Sequence, residues 1–102
     1  MAKFELPIYD TKTGEIVKTH QRGFMPVDLF IRFQNVAEEV TADKFKSNEE
    51  LFDALEDLFV ELFPDLTKEE YRNGADVAEI MKVWQIVNNK STDIESGNSK
   101  NG

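Results

Sequence analysis

The sequence predicts an α+β fold that is mainly α: an N-terminal β-hairpin, a small bundle of three to four helices and a disordered C-terminal tail. Three observations predict this fold. Apolar and polar residues alternate near the N-terminus, the apolar period lengthens to about 3.6 residues from Pro26 onward, and helix-capping patterns recur between residues 47 and 79. A chain of 102 residues has room for one compact core, so residues 1–90 are predicted to form a single globular domain.

The hairpin is predicted over residues 3–20. Apolar side chains of the first strand alternate with polar ones, at Phe4, Leu6 and Ile8. A second run, residues 15–20, is rich in β-branched side chains. Asp10 and Gly14 lie between the two runs, where Asp can accept hydrogen bonds from turn amides and Gly can adopt positive φ. The sequence therefore predicts two antiparallel strands joined by a short loop.

Helices are predicted at residues 27–44, 47–63, 68–73 and 76–88. Ser47 and Glu50 have the spacing of a capping box, in which each side chain bonds the other residue's backbone amide. Thr67 and Glu70 repeat that spacing, and Pro64 ends the helix between the two boxes. Residues 91–102 are mostly Ser, Thr, Asp, Asn, Gly and Lys, and they are predicted to form a flexible polar tail.

Composition excludes several classes of function. The formal net charge is -8, and residues 27–88 alone carry -9. Nucleic acids and anionic membranes both require a basic surface, so neither is an expected partner. The absence of cysteine removes disulfides and thiolate chemistry. No apolar run has the length of a signal peptide or a membrane span, and a cytoplasmic location is expected.

Candidate catalytic residues are few. His20 is the one histidine, and because no Ser or Cys nucleophile motif accompanies it, we interpret it as a surface histidine rather than a catalytic base. Carboxylates line one face of the second predicted helix, at Asp53, Glu56, Asp57 and Glu61. A solvated acidic face is the ordinary interpretation, and a two-carboxylate hydrolase site is the alternative. The sequence predicts no catalytic residue, cofactor or metal site, and the chain is not expected to be an enzyme.

The second predicted helix has more apolar surface than one core contact requires. Leucines form one stripe along it, and a phenylalanine stripe adjoins them. One hypothesis is that the hairpin and the other helices cover both stripes. The other is that part of this surface meets another chain, because large aromatic side chains ringed by charge are typical of interface anchors. The candidate partner-binding residues are Phe52, Phe59, Phe63 and Trp84.

Several motifs together span nearly the whole chain: the N-terminal strand segment, Phe30-Ile31-Arg32-Phe33, and the patterns at residues 51–55, 62–70 and 74–80. In these motifs the chain resembles the small tail assembly chaperones of long-tailed phages and of related prophages in Gram-positive hosts. This resemblance implies a non-enzymatic protein of the host cytoplasm that is absent from the finished virion. The expected partner is the tape measure protein, which such a chaperone keeps soluble and competent for tail tube polymerisation.

The resemblance also implies that this chain is the short form, and that a longer, frameshifted form recruits the tail tube protein. Self-association through the apolar face is left open. On this hypothesis, Phe52→Ala or Phe59→Asp leaves a folded domain that co-purifies less tape measure protein. One alternative is a structural virion component, such as a head–tail connector subunit or minor tail protein. Another is an acidic inhibitor that imitates nucleic acid, which the charge of residues 27–88 permits.

Overall fold

The computed structural model describes the backbone of residues 4–101 and the side chains of residues 4–89. Its elements are β1 (Phe4–Tyr9), β2 (Ile16–Arg22), α1 (Val27–Thr41), α2 (Asn48–Leu62), a π-helical segment (Glu70–Gly74) and α3 (Val77–Asn101). The predicted α+β, mainly α fold with an N-terminal hairpin is confirmed. Helix α3 is longer than the predicted helix at residues 76–88, since its backbone continues to Asn101. Side chains from residue 90 onward lie outside the described residues, and the flexibility predicted for residues 91–102 stays a prediction.

The hairpin is antiparallel, with Phe4 opposite Arg22 at its open end. Its loop has the predicted chemistry: the Asp10 carboxylate accepts from the Lys12 amide at 2.7 Å, and Gly14 adopts a φ of 75°. Only one face of β1 is buried, which is the consequence of the period-two alternation. In β2, by contrast, the first four residues are exposed, so this end of the hairpin projects from the body of the protein.

One hydrophobic core joins the hairpin to the helices. Its apolar members are Phe4, Leu6, Ile8, Leu29, Phe33, Val36, Leu55, Leu58, Phe59, Leu62, Phe63, Leu66, Tyr71, Ile80, Val83 and Val87. On each helix these residues recur at intervals of three and four, which is the spacing that keeps side chains on one face. Helix α1 packs against α2 and α3, and α3 also packs against β1.

Side-chain caps lie at the start of α2 and at the start of the helical turn, residues 68–69, that leads into the π-helical segment. The Ser47 hydroxyl accepts from the Glu50 amide at 3.2 Å, which is half of the predicted capping box. The Glu50 carboxylate accepts from the Lys46 amide at 2.9 Å rather than from the Ser47 amide. Thr67 and Glu70 form a reciprocal box, with bonds of 3.0 and 3.2 Å between side chains and backbone amides. These local bonds explain why the capping patterns locate the helix starts.

The π-helical segment lies close beneath β1. Ala75 forms an isolated antiparallel bridge with Ile8, so the residue after the segment extends the sheet on the side of β1 away from β2. A Cβ added at Gly74 would lie 2.7 Å from the Ile8 Cγ2 atom. Only glycine therefore permits the backbone to approach this closely without displacing the Ile8 side chain.

Candidate partner-binding surface

Two of the four predicted partner-binding residues lie in the core. Phe59 and Phe63 are 0% and 1% exposed. The Phe59 ring lies 6.0 Å from Phe33 in an edge-to-face arrangement and 5.8 Å from Tyr71, at distances typical of favourable aromatic pairs. These two phenylalanines are not accessible to a partner in this structure, so the expectation that Phe59→Asp leaves a folded domain is corrected.

The other two predicted residues, Phe52 and Trp84, are half-buried. Phe52 borders a cleft of about 180 Å³ with Tyr71, Arg72 and the start of α3, and its carbonyl accepts a 2.9 Å hydrogen bond from the Tyr71 hydroxyl. Trp84 packs its ring edge-to-face with Phe33, with 6.3 Å between the centroids. Both rings retain some exposed surface, but each is also part of the packing around the core.

The carboxylates of α2 lie on a largely exposed face, as the sequence favours, although Glu56 is buried and each of the four also has a basic partner. Arg72 donates to both oxygens of Glu56, at 3.2 and 2.9 Å, and also to Asp53. Glu56 is buried, and the hydrogen bond from Arg72 holds its pKa below the ordinary value. On the next turns, Glu61 pairs with Arg32 of α1 at 2.7 Å. These α2 carboxylates and arginines therefore pair within the protein, as expected of ion pairs that stabilise the fold.

His20 is also placed differently from the sequence-based interpretation. It is 9% exposed rather than at the surface, and its Nε2 atom lies 2.9 Å from Oε1 of Glu70. Lys18 reaches the other oxygen of Glu70 at 2.9 Å. Burial opposes ionisation of Glu70, but hydrogen bonds from Lys18, the Thr67 amide and His20 outweigh it and lower its pKa to about 2. His20 therefore joins β2 to the π-helical segment.

The most exposed large apolar side chain of the described residues lies at the start of α1, a region outside the four predicted partner-binding residues. Val27 is 75% exposed and Ile31 is 50% exposed, and Phe24, just before the helix, is 59% exposed. The Arg22 guanidinium lies 4.4 Å from the Phe24 ring centroid. The spacing of apolar residues in the sequence could have indicated this surface. Val27 and Ile31 are four residues apart, so they share one face of α1. That face lies opposite the buried row of Leu29, Phe33 and Val36.

Exposed apolar side chains also occur outside the start of α1. Ile16 and Val17 are 55% and 59% exposed at the beginning of β2, where the register with β1 shifts. Val77 is exposed at the first turn of α3, and Val40 near the end of α1. Single exposed side chains such as Val77 and Val40 are normal on soluble proteins, whereas Val27 and Ile31 lie one turn apart on one face of a helix.

No group of three or more His, Asp or Glu side chains that could hold a metal ion occurs within residues 4–89. In the same part of the chain, no helix combines the length and apolar character that crossing a bilayer requires. What the fold does present to solvent is an aliphatic surface on α1, beside helices whose ionised groups are mostly carboxylates.

The fold and this surface describe a small α+β domain with features of a protein-binding module. A family model described as phage tail chaperone protein matches residues 1–101, and the chain belongs to this family. The resemblance noted from the sequence is thereby confirmed. No curated protein and no solved structure matches the chain significantly.

Proposed function

We propose that this chain is a tail assembly chaperone that binds the tape measure protein and keeps it soluble and competent for tail tube polymerisation. The main support is membership of the phage tail chaperone family together with the exposed aliphatic surface of α1. In this proposal the chain acts in the host cytoplasm, performs no catalysis and is absent from the mature virion. The family supports a role in assembly rather than a place in the particle.

Physical chemistry supports both parts of this proposal, which are binding the client and keeping the complex soluble. A long helical client exposes apolar faces until it is packed, and a chaperone must cover them without precipitating itself. Burying Val27 and Ile31 against a client would contribute about 1.5–3 kcal/mol for each side chain that is fully covered. The net charge of -8 keeps the complex soluble by mutual repulsion. Several copies along one client gain effective concentration, so each contact needs only modest affinity.

The binding surface in this proposal centres on α1, with Phe24, Val27 and Ile31 as the contact side chains. Phe52 and Trp84 remain candidates for its periphery, because each keeps part of its ring at the surface. Phe59 and Phe63 contribute indirectly, since they hold α2 beneath α1. A longer frameshifted form that recruits tail tube protein is compatible with this arrangement and belongs to the same proposal.

The proposal is tested by expressing the tape measure protein of the same phage with and without this chain. We expect the chain to raise the soluble fraction of the tape measure protein and to co-purify with it. A Val27→Ser/Ile31→Ser variant should lose most of this effect. The matched control is Ile16→Ser/Val17→Ser, which removes the same two side-chain types from exposed positions of β2 and should behave like the unmodified chain.

Two results would contradict the proposal. The first is a tape measure protein that remains equally insoluble with and without the chain. The second is recovery of the chain in purified virions at the copy number of a structural subunit, measured by quantitative mass spectrometry, which would favour the alternative of a connector or minor tail protein.

A further inference from the structure

Two parallel rows of side chains run along opposite sides of α1. The inner row is Leu29, Phe33, Val36 and Val40, and its first three members are buried in the core. The outer row, here called the outer seam, is Val27, Ile31, Gln34 and Glu38. Both rows have the spacing of four, three and four residues that a second helix requires to pack alongside. The inner row has such partners in α2 and α3, whereas Val27, Ile31 and Glu38 of the outer seam are exposed.

The outer seam changes character along its length. It begins with two aliphatic side chains and ends, about 16 Å further along the axis, with a carboxylate. Neither Glu38 nor its neighbour Glu39 forms an ion pair with any residue of the described range 4–89. The last turn of α1 contains no basic residue. Because a helix C-terminus carries partial negative charge, these two carboxylates are repelled by it, and a cation supplied from outside would relieve that repulsion.

A second copy of this chain fits the outer seam poorly. If two outer seams packed antiparallel, Val27 of one copy would face Glu38 of the other, which would place an aliphatic side chain against an unpaired carboxylate. If they packed parallel, the two Glu38 carboxylates would face each other and repel. The seam is therefore complementary to a different sequence, with aliphatic side chains at one end and positive charge at the other.

We propose that the outer seam binds an amphipathic helix with a short aliphatic stripe followed, about two turns away, by Lys or Arg. The aliphatic residues cover Val27 and Ile31, and the cation lies beside Glu38 at the C-terminal end of α1. This inference builds on the proposed function, because it assigns the chemistry of the client segment that the chaperone holds. The apolar half provides most of the affinity, and the charged end sets which helices are accepted.

The test uses two synthetic amphipathic helices with the same leucine stripe. One has Lys at the position that would face Glu38, and the other has Glu there. Binding of each labelled peptide is followed by fluorescence anisotropy at low and at physiological ionic strength. We expect the unmodified chain to prefer the Lys peptide and to lose part of this preference as salt screens the charge pair.

Charge reversal in the chain should reverse the preference. In Glu38→Lys, affinity for the Lys peptide should fall about 3- to 10-fold, and affinity for the Glu peptide should rise, because one exposed ion pair is replaced by a repulsion. The variant should remain folded, since a cation near the end of α1 suits the helix dipole. The control is Glu15→Lys, which reverses a carboxylate in the hairpin loop. Within residues 4–89 Glu15 also forms no ion pair, and its reversal should leave both affinities unchanged.

Three outcomes would overturn the inference. They are equal binding of both peptides to the unmodified chain, no binding of either peptide, and a dimer of the chain in sedimentation analysis that Val27→Ser/Ile31→Ser converts to a monomer. Each of these is distinguishable from failure of the proposed function. If the chain still solubilises the tape measure protein while any of them holds, the chaperone role stands and only the chemistry assigned to the outer seam is wrong.

Discussion

Helices α1 and α2 have the same length, 15 residues, but the structure covers them differently. Three arginines from neighbouring elements bind α2. They are Arg22 of β2, Arg32 of α1 and Arg72 of the π-helical segment. Helix α1 packs on α2 and α3 and leaves its opposite side to solvent. Helix α2 buries five of its residues and α1 only three, although each helix contains two phenylalanines. The number of apolar residues therefore does not distinguish the two helices; what differs is how much of each helix the rest of the fold covers.

The largest expected effect comes from removing an α2 ring. Phe59→Ala should lower the free energy of unfolding by about 3–5 kcal/mol, because a fully buried aromatic side chain leaves a cavity among Phe33, Phe63 and Tyr71. Urea denaturation followed by circular dichroism measures this value. A loss below about 1 kcal/mol would mean that Phe59 is not a core residue and that the contrast between α1 and α2 fails.

The next largest loss of stability is expected at Gly74, where the π-helical segment approaches β1 closely. Gly74→Ala should destabilise the protein by about 1–3 kcal/mol, because the new Cβ would lie 2.7 Å from the Ile8 side chain. Gly23→Ala is the matched control, since a Cβ there meets no atom within 4 Å. Equal thermal stabilities of the two variants would show that the hairpin does not press on this segment.

A smaller, pH-dependent effect is expected at Glu70, which joins the hairpin to the π-helical segment. Its pKa is about 2 in the folded protein, against about 4.3 for an unperturbed glutamate. Ionised Glu70 therefore stabilises the fold above the unfolded-state pKa, and this contribution is lost as pH falls from about 5 towards 2. Glu70→Gln should cost about 1–2 kcal/mol at neutral pH and less at low pH.

Stability curves at several pH values provide the measurement for Glu70. The unmodified protein and Glu70→Gln should converge as the solution is acidified, because protonated Glu70 has lost the charge that Lys18 and His20 bind. Glu56 and Glu61 also have lowered pKa values and titrate in both proteins, so the difference between the curves isolates Glu70. A constant difference across the pH range would contradict the assignment.

The smallest expected effect on stability is at the outer seam. Ile31→Ser should change the free energy of unfolding by only about 0.5 kcal/mol, because the side chain is 50% exposed and is not a member of the buried core. The same denaturation assay compares it with Phe59→Ala. A destabilisation approaching that of Phe59→Ala would show that α1 is covered on both sides in the free protein.

Local features of the sequence predicted the local features of the fold. Asp10 and Gly14 form the hairpin loop, and Ser47 and Thr67 cap helices, because each interaction is made within a few residues of the chain. Alternation in β1 likewise predicted its buried face, since a strand has only two sides. These elements depend on rules that operate before tertiary packing.

The surface could not be predicted in the same way, because covering a side chain requires residues distant in sequence. The rings of Phe33 and Tyr71 help to bury Phe59, and no pattern within α2 predicts that they pack against it. His20 is buried by its bond to Glu70, fifty residues away. The periodicity of α1 shows one apolar row and a second row that begins with Val27 and Ile31, but only the packing of the other helices decides whether these two side chains remain exposed.

The central claim is that the client covers α1 rather than another exposed apolar position. Two isoleucines provide an internal comparison, because Ile31 on α1 and Ile16 on β2 are 50% and 55% exposed. Methyl NMR with a soluble paramagnetic agent measures how accessible each one is. In the free protein both methyl signals should broaden; in the complex with the tape measure protein, Ile31 should be protected while Ile16 still broadens. Protection of Ile16 with Ile31 still accessible would contradict the claim.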